Sequence, residues 1–219
     1  MTHTKITNIG IIAALFLALG ATKCSKKSTP KALKNKRSNA AQVISTAGKG
    51  GNGGKNSNQM LHELIKTDET ALAIQRIEQS DSTKLNAQDK KGRTPLHVAA
   101  KNGYYSVVKK LIEAGVELNA QDNNKQTPLH LAAANGNESV VDALLMEEKV
   151  KLDIQDYNKQ TPLHLAVAKG WPNIVQALID ARAKLYTRDS NKKTPLELNK
   201  NKKVSAAIEA LLSDAMKAQ

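Results

Sequence analysis

Three histidines recur at a regular spacing, and their type and pattern could do chemistry. His97, His130 and His164 each end the same four-residue motif, Thr-Pro-Leu-His, so a row of imidazoles could bind a metal ion. A zinc site needs further Cys, His or carboxylate ligands, and no cluster with suitable spacing accompanies these histidines. No Ser-His-Asp arrangement or carboxylate pair stands out either. The sequence therefore predicts no metal, no cofactor and no enzymatic activity.

The elements that must position these histidines repeat with the same period. Four copies of a Thr-Pro pair lie 33, 34 and 33 residues apart, a spacing typical of stacked repeat arrays. A threonine side chain can accept a hydrogen bond from the first turn of a helix, and proline suits the first helical position. Each pair therefore predicts the start of a helix. The pairs are Thr94-Pro95, Thr127-Pro128, Thr161-Pro162 and Thr194-Pro195.

The rest of each copy predicts a second helix and a turn. Gly103, Gly136 and Gly170 follow the first helix, at the place where a residue of positive φ commonly ends a helix. Apolar residues spaced i, i+3, i+4 then predict a second helix with one buried stripe. These residues are Val107-Val108 with Leu111-Ile112, Val140-Val141 with Leu144-Leu145, and Ile174-Val175 with Leu178-Ile179.

This pattern resembles the ankyrin repeat over residues 58–219. The resemblance implies an all-α solenoid of five stacked helix pairs joined by β-hairpin-like turns, with Ala132 and Ala133 at tight helix contacts. It also implies that the three histidines are structural and form hydrogen bonds between units. The implied units are 58–89, 90–122, 123–156, 157–189 and 190–219, of which the first and the last are degenerate caps.

The turns between units depart from the family pattern. A glycine three residues after the turn aspartate survives only as Gly92, and lysine replaces it in the later turns. Asparagine directly precedes each of these lysines and tolerates positive φ better than most residues. We therefore still expect a turn in each unit, of a type that the sequence leaves open. The Asn-Lys pairs are Asn124-Lys125, Asn158-Lys159 and Asn191-Lys192.

The N-terminal residues 1–24 have the features of an export signal. An uninterrupted apolar run of 13 residues spans 9–21, which is short for a membrane span but fits the core of a secretory signal. Cys24, the only cysteine, follows it and excludes an intramolecular disulfide. Its position resembles a bacterial lipoprotein signal, which makes Cys24 a lipidation candidate. Cleavage between Gly20 and Ala21, or an uncleaved anchor, remains an alternative, because a basic residue directly precedes the cysteine.

A basic segment rich in Gly, Ser and Asn, residues 25–57, separates this signal from the repeats. Nine bases and no acid lie between residues 23 and 55, and the segment predicts a disordered linker. From residue 56 onward the chain holds 23 bases and 20 acids, so the repeats carry only +3 of the +13 total. A nucleic-acid-binding domain would carry its charge on a folded face, so we expect no nucleic-acid partner. The linker is either a solvated spacer or a contact for an anionic membrane surface or another acidic surface.

The resemblance implies two zones for protein partners, the turn tips and the inner-helix face. Aromatic residues make up 3% of the chain, and they are enriched among interface hot spots, so exposed ones are candidates for partner contact. The aromatic candidates are Tyr104, Tyr157 and Trp171. The polar candidates are Lys90, Lys91, Asn124 and Asn158 at the turn tips, and Lys101 and Lys169 on the inner helices.

These observations favour a monomeric, non-enzymatic interaction module that is exported and tethered to the cell envelope. An alternative is an envelope accessory protein that supports a partner enzyme, for example in oxidative-stress defence. The sequence identifies no particular protein partner, because arrays of this kind bind many unrelated proteins.

Overall fold

A computed structural model describes residues 57–198 and 205–217, all within one compact unit spanning Gly53–Gln219. In these ranges the chain forms ten α-helices, one 3₁₀ turn and no β-strand. None of the described helices is long and apolar enough to cross a membrane. The predicted signal, Cys24 and nearly all of the predicted linker lie outside the described residues. The helices are α1 (Ser57–Lys66), α2 (Thr70–Glu78), α3 (Ser82–Leu85), α4 (Pro95–Asn102), α5 (Tyr105–Glu113), α6 (Pro128–Asn135), α7 (Glu138–Leu145), α8 (Pro162–Lys169), α9 (Pro172–Asp180) and α10 (Ser205–Lys217).

The Thr-Pro pairs begin helices α4, α6 and α8, as the sequence predicts. The capping threonine is extended, with φ between −77° and −91°, and proline takes the first helical position. The histidine two residues later accepts a hydrogen bond from the threonine N–H at 3.1–3.2 Å, so threonine and histidine close the helix start together. Gly103, Gly136 and Gly170 end these helices with φ of 77°, 76° and 80°, which confirms the predicted role of the glycines.

The helices stack in two rows. Helices α1, α4, α6 and α8 form an inner row in sequence order, and α2, α5, α7 and α9 form an outer row beside it. The side chains of Ala99, Ala132, Ala133 and Ala166 are completely buried, and their small size lets neighbouring inner helices approach closely. Valine and leucine side chains from both rows complete one continuous core. Each fully buried side chain of this size contributes about 1.5–3 kcal/mol, so this core is a major source of the stability of the array.

The last unit departs from the five helix pairs that the sequence predicts. In its described part, the Thr-Pro pair leads only into the 3₁₀ turn Leu196–Leu198, and α10 then packs on α9. Glu197 stands where the other units have histidine, and its carboxylate accepts hydrogen bonds from the Thr194 N–H at 2.6 Å and the Thr194 hydroxyl at 3.0 Å. Glutamate therefore preserves the cap, but Glu197 is exposed and makes no bond to a further unit. The four-residue helix α3 is a second element that the repeat pattern does not predict.

Candidate interaction surface

The repeated histidines connect each unit to the next. His97, His130 and His164 are fully buried, and each Nε2 lies 2.9–3.2 Å from a main-chain oxygen of the following turn. A carbonyl can only accept, so Nε2 carries the proton and donates, while Nδ1 accepts from the capping threonine. Both ring nitrogens are therefore engaged. Among residues 57–198 and 205–217, no group of three or more His, Cys, Asp or Glu side chains could hold a metal ion.

Burial favours the neutral form of these imidazoles. It lowers the pKa of His97, His130 and His164, although the carbonyl bonded to each Nε2 acts in the opposite direction. His62 belongs to the same column, because its side chain is 2% exposed and its Nε2 lies 2.7 Å from the Arg93 carbonyl oxygen. The degenerate first unit thus keeps the connection to its neighbour even though it lacks the Thr-Pro pair.

An aspartate organises each turn between units. Its Oδ1 accepts hydrogen bonds from the N–H groups two and four residues later at 2.8–3.0 Å, which fixes a tight loop. These aspartates are Asp89, Asp122, Asp156 and Asp189. Asp89 also pairs with the Arg93 guanidinium at 2.6 Å. Burial raises the pKa of Asp89, but the hydrogen bonds and charge of Arg93 and the Lys91 N–H outweigh it and bring the pKa to about 2.

Main-chain hydrogen bonds join successive turns into one continuous edge. The N–H groups of Asn123, Tyr157 and Ser190 each donate to a carbonyl of the preceding turn at 2.9–3.0 Å. The accepting carbonyls belong to Lys91, Asn124 and Asn158. We call this surface the turn edge, and it consists of residues 89–93, 122–126, 156–160 and 189–193.

The positive φ angles at the turn edge fall on lysine and not on the preceding asparagine. Lys125, Lys159 and Lys192 have φ of 58°, 55° and 62°, and Gly92 has φ of 72° in the equivalent place. Asparagine was the better candidate from local preference alone. The turn aspartates place the positive φ on the lysine instead. Each aspartate accepts a hydrogen bond from the asparagine N–H two residues later, which fixes the asparagine, so the chain reverses at the lysine that follows.

Comparison with protein families identifies this architecture. A family described as ankyrin repeats (3 copies) matches residues 31–156, and one described as ankyrin repeats (many copies) matches residues 145–198. The chain belongs to the ankyrin-repeat family. Comparison with curated proteins gives no match. Ankyrin repeats are protein–protein interaction modules, so the exposed faces of this ankyrin array are its candidate binding surfaces.

The ankyrin turn edge brings together most of the binding candidates predicted from the sequence. Lys90, Lys91, Asn124 and Asn158 are exposed there, and Tyr157, in the central turns, is 76% exposed. Two further candidates are exposed away from the turn edge, near the C-terminal ends of inner helices: Lys101 on α4 and Lys169 on α8. The structure thus separates the polar candidates into two surfaces.

The other two aromatic candidates, Tyr104 and Trp171, make contacts between ankyrin units. Both precede the first residue of an outer helix. A Cβ atom on Gly136 would lie 2.7 Å from the Trp171 ring, so the indole covers the glycine of the preceding unit, and 37% of Trp171 stays exposed. Tyr104 packs partly buried against the core, and burial together with the charge and hydrogen bonding of Asp68 raises the pKa of its hydroxyl.

Asn137 shows that this contact is a general feature of the position. In the central unit its Nδ2 donates to the carbonyls of Ala100 and Lys101 in the preceding unit, at 2.7 and 2.9 Å. Sequence reasoning missed this role, because the residue type changes from unit to unit while the place in the stack stays the same. The only usable signal was the glycine that each of these residues follows.

Proposed function

We propose that this ankyrin-repeat chain is a non-enzymatic protein-interaction module, exported and held at the cell envelope by its N-terminal segment. One observation carries the proposal: the repeated polar side chains of the described units are used to build the array. The three buried histidines have both ring nitrogens hydrogen-bonded, and the four turn aspartates each hold two main-chain amides. The exposed turn edge and the exposed ends of the inner helices are left for a partner.

Export and tethering rest on the N-terminal sequence. The apolar run at residues 9–21 and Cys24 beyond it fit a signal that directs acylation of the cysteine. A single acyl chain binds membranes weakly, and a polybasic segment is a common second signal. The nine bases between residues 23 and 55 could supply it on an anionic surface.

The interaction role is tested by cross-linking in intact cells with the full-length chain as bait. We expect a specific protein that also binds the purified chain directly. Tyr157→Ala should weaken that binding, whereas Tyr105→Ala, a matched truncation of a 45% exposed aromatic residue on α5, should not. A chain that is recovered alone, or binding that both variants weaken equally, would contradict the proposed role. A captured partner that is itself an enzyme would favour the accessory role.

The tether is tested by fractionating cells that express wild type or Cys24→Ser in the presence of labelled palmitate. Wild type should enter the membrane pellet and carry the label, and the variant should do neither. If the variant stays in the pellet and wild type takes up no label, acylation is wrong and an uncleaved helix is the better account.

A further inference from the structure

The exposed charges of the turn edge are all positive. Six lysine side chains there face solvent. The acids of the same turns point inward, because each turn aspartate binds two main-chain amides and Asp89 also pairs with Arg93. Apart from that pair, six lysines face three aspartates that are at most 9% exposed. The lysines are Lys90, Lys91, Lys125, Lys159, Lys192 and Lys193.

Exposed acids of the array occur on the outer helices. Glu113 on α5, Glu138 and Asp142 on α7, and Asp180 on α9 are all exposed. The outer helices also carry bases, among them the exposed Lys109 on α5, so exposed charge of a single sign is a feature of the turn edge. A surface of one sign orients an approaching charged partner.

Three of the edge lysines occupy a backbone conformation that does not suit them. Lys125, Lys159 and Lys192 have positive φ, where a Cβ atom crowds the backbone, and Gly92 shows that glycine fits the same place. Residues held in disfavoured conformations occur preferentially at functional sites. These three lysines therefore place their charge on the turn edge at positions where the local backbone favours glycine.

We propose that the turn edge binds an extended acidic segment of a partner protein. This proposal rests on the interaction role proposed above and names the chemistry of the partner. The main-chain bonds between turns hold the edge lysines in register, and packed helices lie about 8–10 Å apart, so a lysine recurs at roughly that interval. A polyproline II segment has three residues per turn and rises about 3.1 Å per residue, so acids at every third position recur on one face at about 9 Å.

The side chains between the lysines fit a polypeptide. Tyr157 is 76% exposed in the middle of the edge and offers an aromatic surface, and the neighbouring asparagine side chains can donate and accept hydrogen bonds. The one arginine of the turn edge, Arg93, makes two side-chain bonds to Asp89 and is occupied. The free cations of the turn edge are therefore lysines, and the aromatic ring and amide groups between them favour an acidic polypeptide as the partner.

The test measures fluorescence anisotropy of labelled peptides with the full-length chain. The probe is a Glu-Pro-Pro repeat, and the controls are a Gln-Pro-Pro repeat and a peptide of the same composition with its glutamates clustered. We expect the Glu-Pro-Pro repeat to bind about tenfold more tightly than the clustered peptide, and no binding of the neutral one. Binding should weaken at high salt, which screens exposed charges.

Two variants with equal loss of charge locate the contact. The edge variant is K125N/K159N/K192N, in which asparagine tolerates the positive φ. The control variant is K109Q/K149Q/K151Q, whose exposed lysines lie outside the turn edge. The edge variant should lose about tenfold in affinity and the control variant less than about twofold. The basic N-terminal segment is the same in all three proteins, so it cannot produce the difference, and a melting curve checks that each variant folds.

Each outcome decides the proposal. Equal weakening by both variants would overturn it, because unspecific charge would then explain binding. If wild type binds vesicles containing phosphatidylserine tightly but does not bind the peptide, and the edge variant loses the vesicle binding, the turn edge contacts a membrane and the proposal is wrong. If the cross-linked partner binds wild type and the edge variant equally while the peptide does not bind, the proposal of an acidic segment at the turn edge is wrong, but the interaction role stands. If neither partner nor peptide binds, both fail.

Discussion

Lys125 occupies a place in the turn edge whose backbone favours glycine, so its side chain should cost stability. A Cβ atom in the left-handed region destabilises the folded state by about 1–2 kcal/mol. Replacing lysine by glycine removes this strain, but the greater entropy of the unfolded chain offsets about 0.4–1 kcal/mol of the gain. We expect Lys125→Gly, at a residue with φ of 58°, to raise the free energy of unfolding by about 0.5–1 kcal/mol in urea titrations.

Gly92→Ala is the control for this prediction. Gly92 has φ of 72°, and an added Cβ would lie 2.8 Å from the Asn123 main-chain nitrogen, so strain and a clash both oppose the side chain. This substitution should lower stability by more than about 1 kcal/mol. An unchanged or lower stability of Lys125→Gly would show that the lysine side chain makes a compensating contact in the folded array.

The buried histidines should make the array sensitive to acid. Their pKa is lowered by burial from the usual 6.5, so below pH 6.5 the unfolded chain takes up protons that the folded chain does not. Stability should therefore be constant above pH 6.5 and fall as the pH decreases towards the folded pKa. The free energy of unfolding should fall by at most about 1.4 kcal/mol per pH unit for each histidine, which is about 4 kcal/mol per pH unit for His97, His130 and His164 together.

His130→Gln should reduce that slope by about one third, because one of the three protons is no longer taken up on unfolding. It should also lower stability at pH 8, since the bonds to Thr127 and Gln160 are disrupted. Urea titrations between pH 5 and pH 8 measure both effects. A variant with the wild-type slope would mean that His130 titrates normally in the folded state.

At the scale of helices, Trp171 and Tyr157 should differ in their contribution to stability. The sequence made both residues candidates for partner contact, and both are exposed, Trp171 to 37% and Tyr157 to 76%. Trp171, directly before α9, also covers Gly136 of the preceding unit, so Trp171→Ala should lower the free energy of unfolding by about 1–2 kcal/mol, less than a fully buried tryptophan would. Tyr157→Ala should change it by less than about 0.5 kcal/mol. Equal melting temperatures of the two variants would contradict this packing.

The helices were largely predictable, because their signals are local. The Thr-Pro pairs and the glycines fixed both ends of α4, α6 and α8, and the apolar spacing located α5, α7 and α9. Features that depend on a neighbouring unit were not predictable. The packing of Trp171 on Gly136 and the 3₁₀ turn at Leu196–Leu198 follow from contacts between units or from their absence, which a single repeat does not encode. The positive φ of the lysine follows instead from the bonds that the turn aspartate makes to the N–H groups two and four residues on, which residue preference alone does not reveal.

At the scale of the whole array, the two ends should differ in stability. Both end units of the described array keep the histidine bond to a carbonyl, from His62 to Arg93 and from His164 to Lys193. The last described unit, however, has only the 3₁₀ turn Leu196–Leu198 where the first unit has the helix α1. Repeat arrays open from their weakest interfaces. We expect amide hydrogens of α10 to exchange faster than those of α1, and those of α6 to exchange slowest, when measured by mass spectrometry. Faster exchange in α1 than in α10 would show that the shortened inner helix of the last unit does not decide the order.

The accepting group of each histidine bond is a main-chain carbonyl, and it belongs to residues with different side chains. The acceptors are Arg93, Gln126, Gln160 and Lys193. Every residue has the same main-chain carbonyl, so the histidine bond between two units does not depend on the side chain of the accepting residue. An in-frame duplication or deletion of one 33-residue segment would therefore carry its own connector with it. A gene for such an array can change the length of the encoded surface without a new interface having to arise.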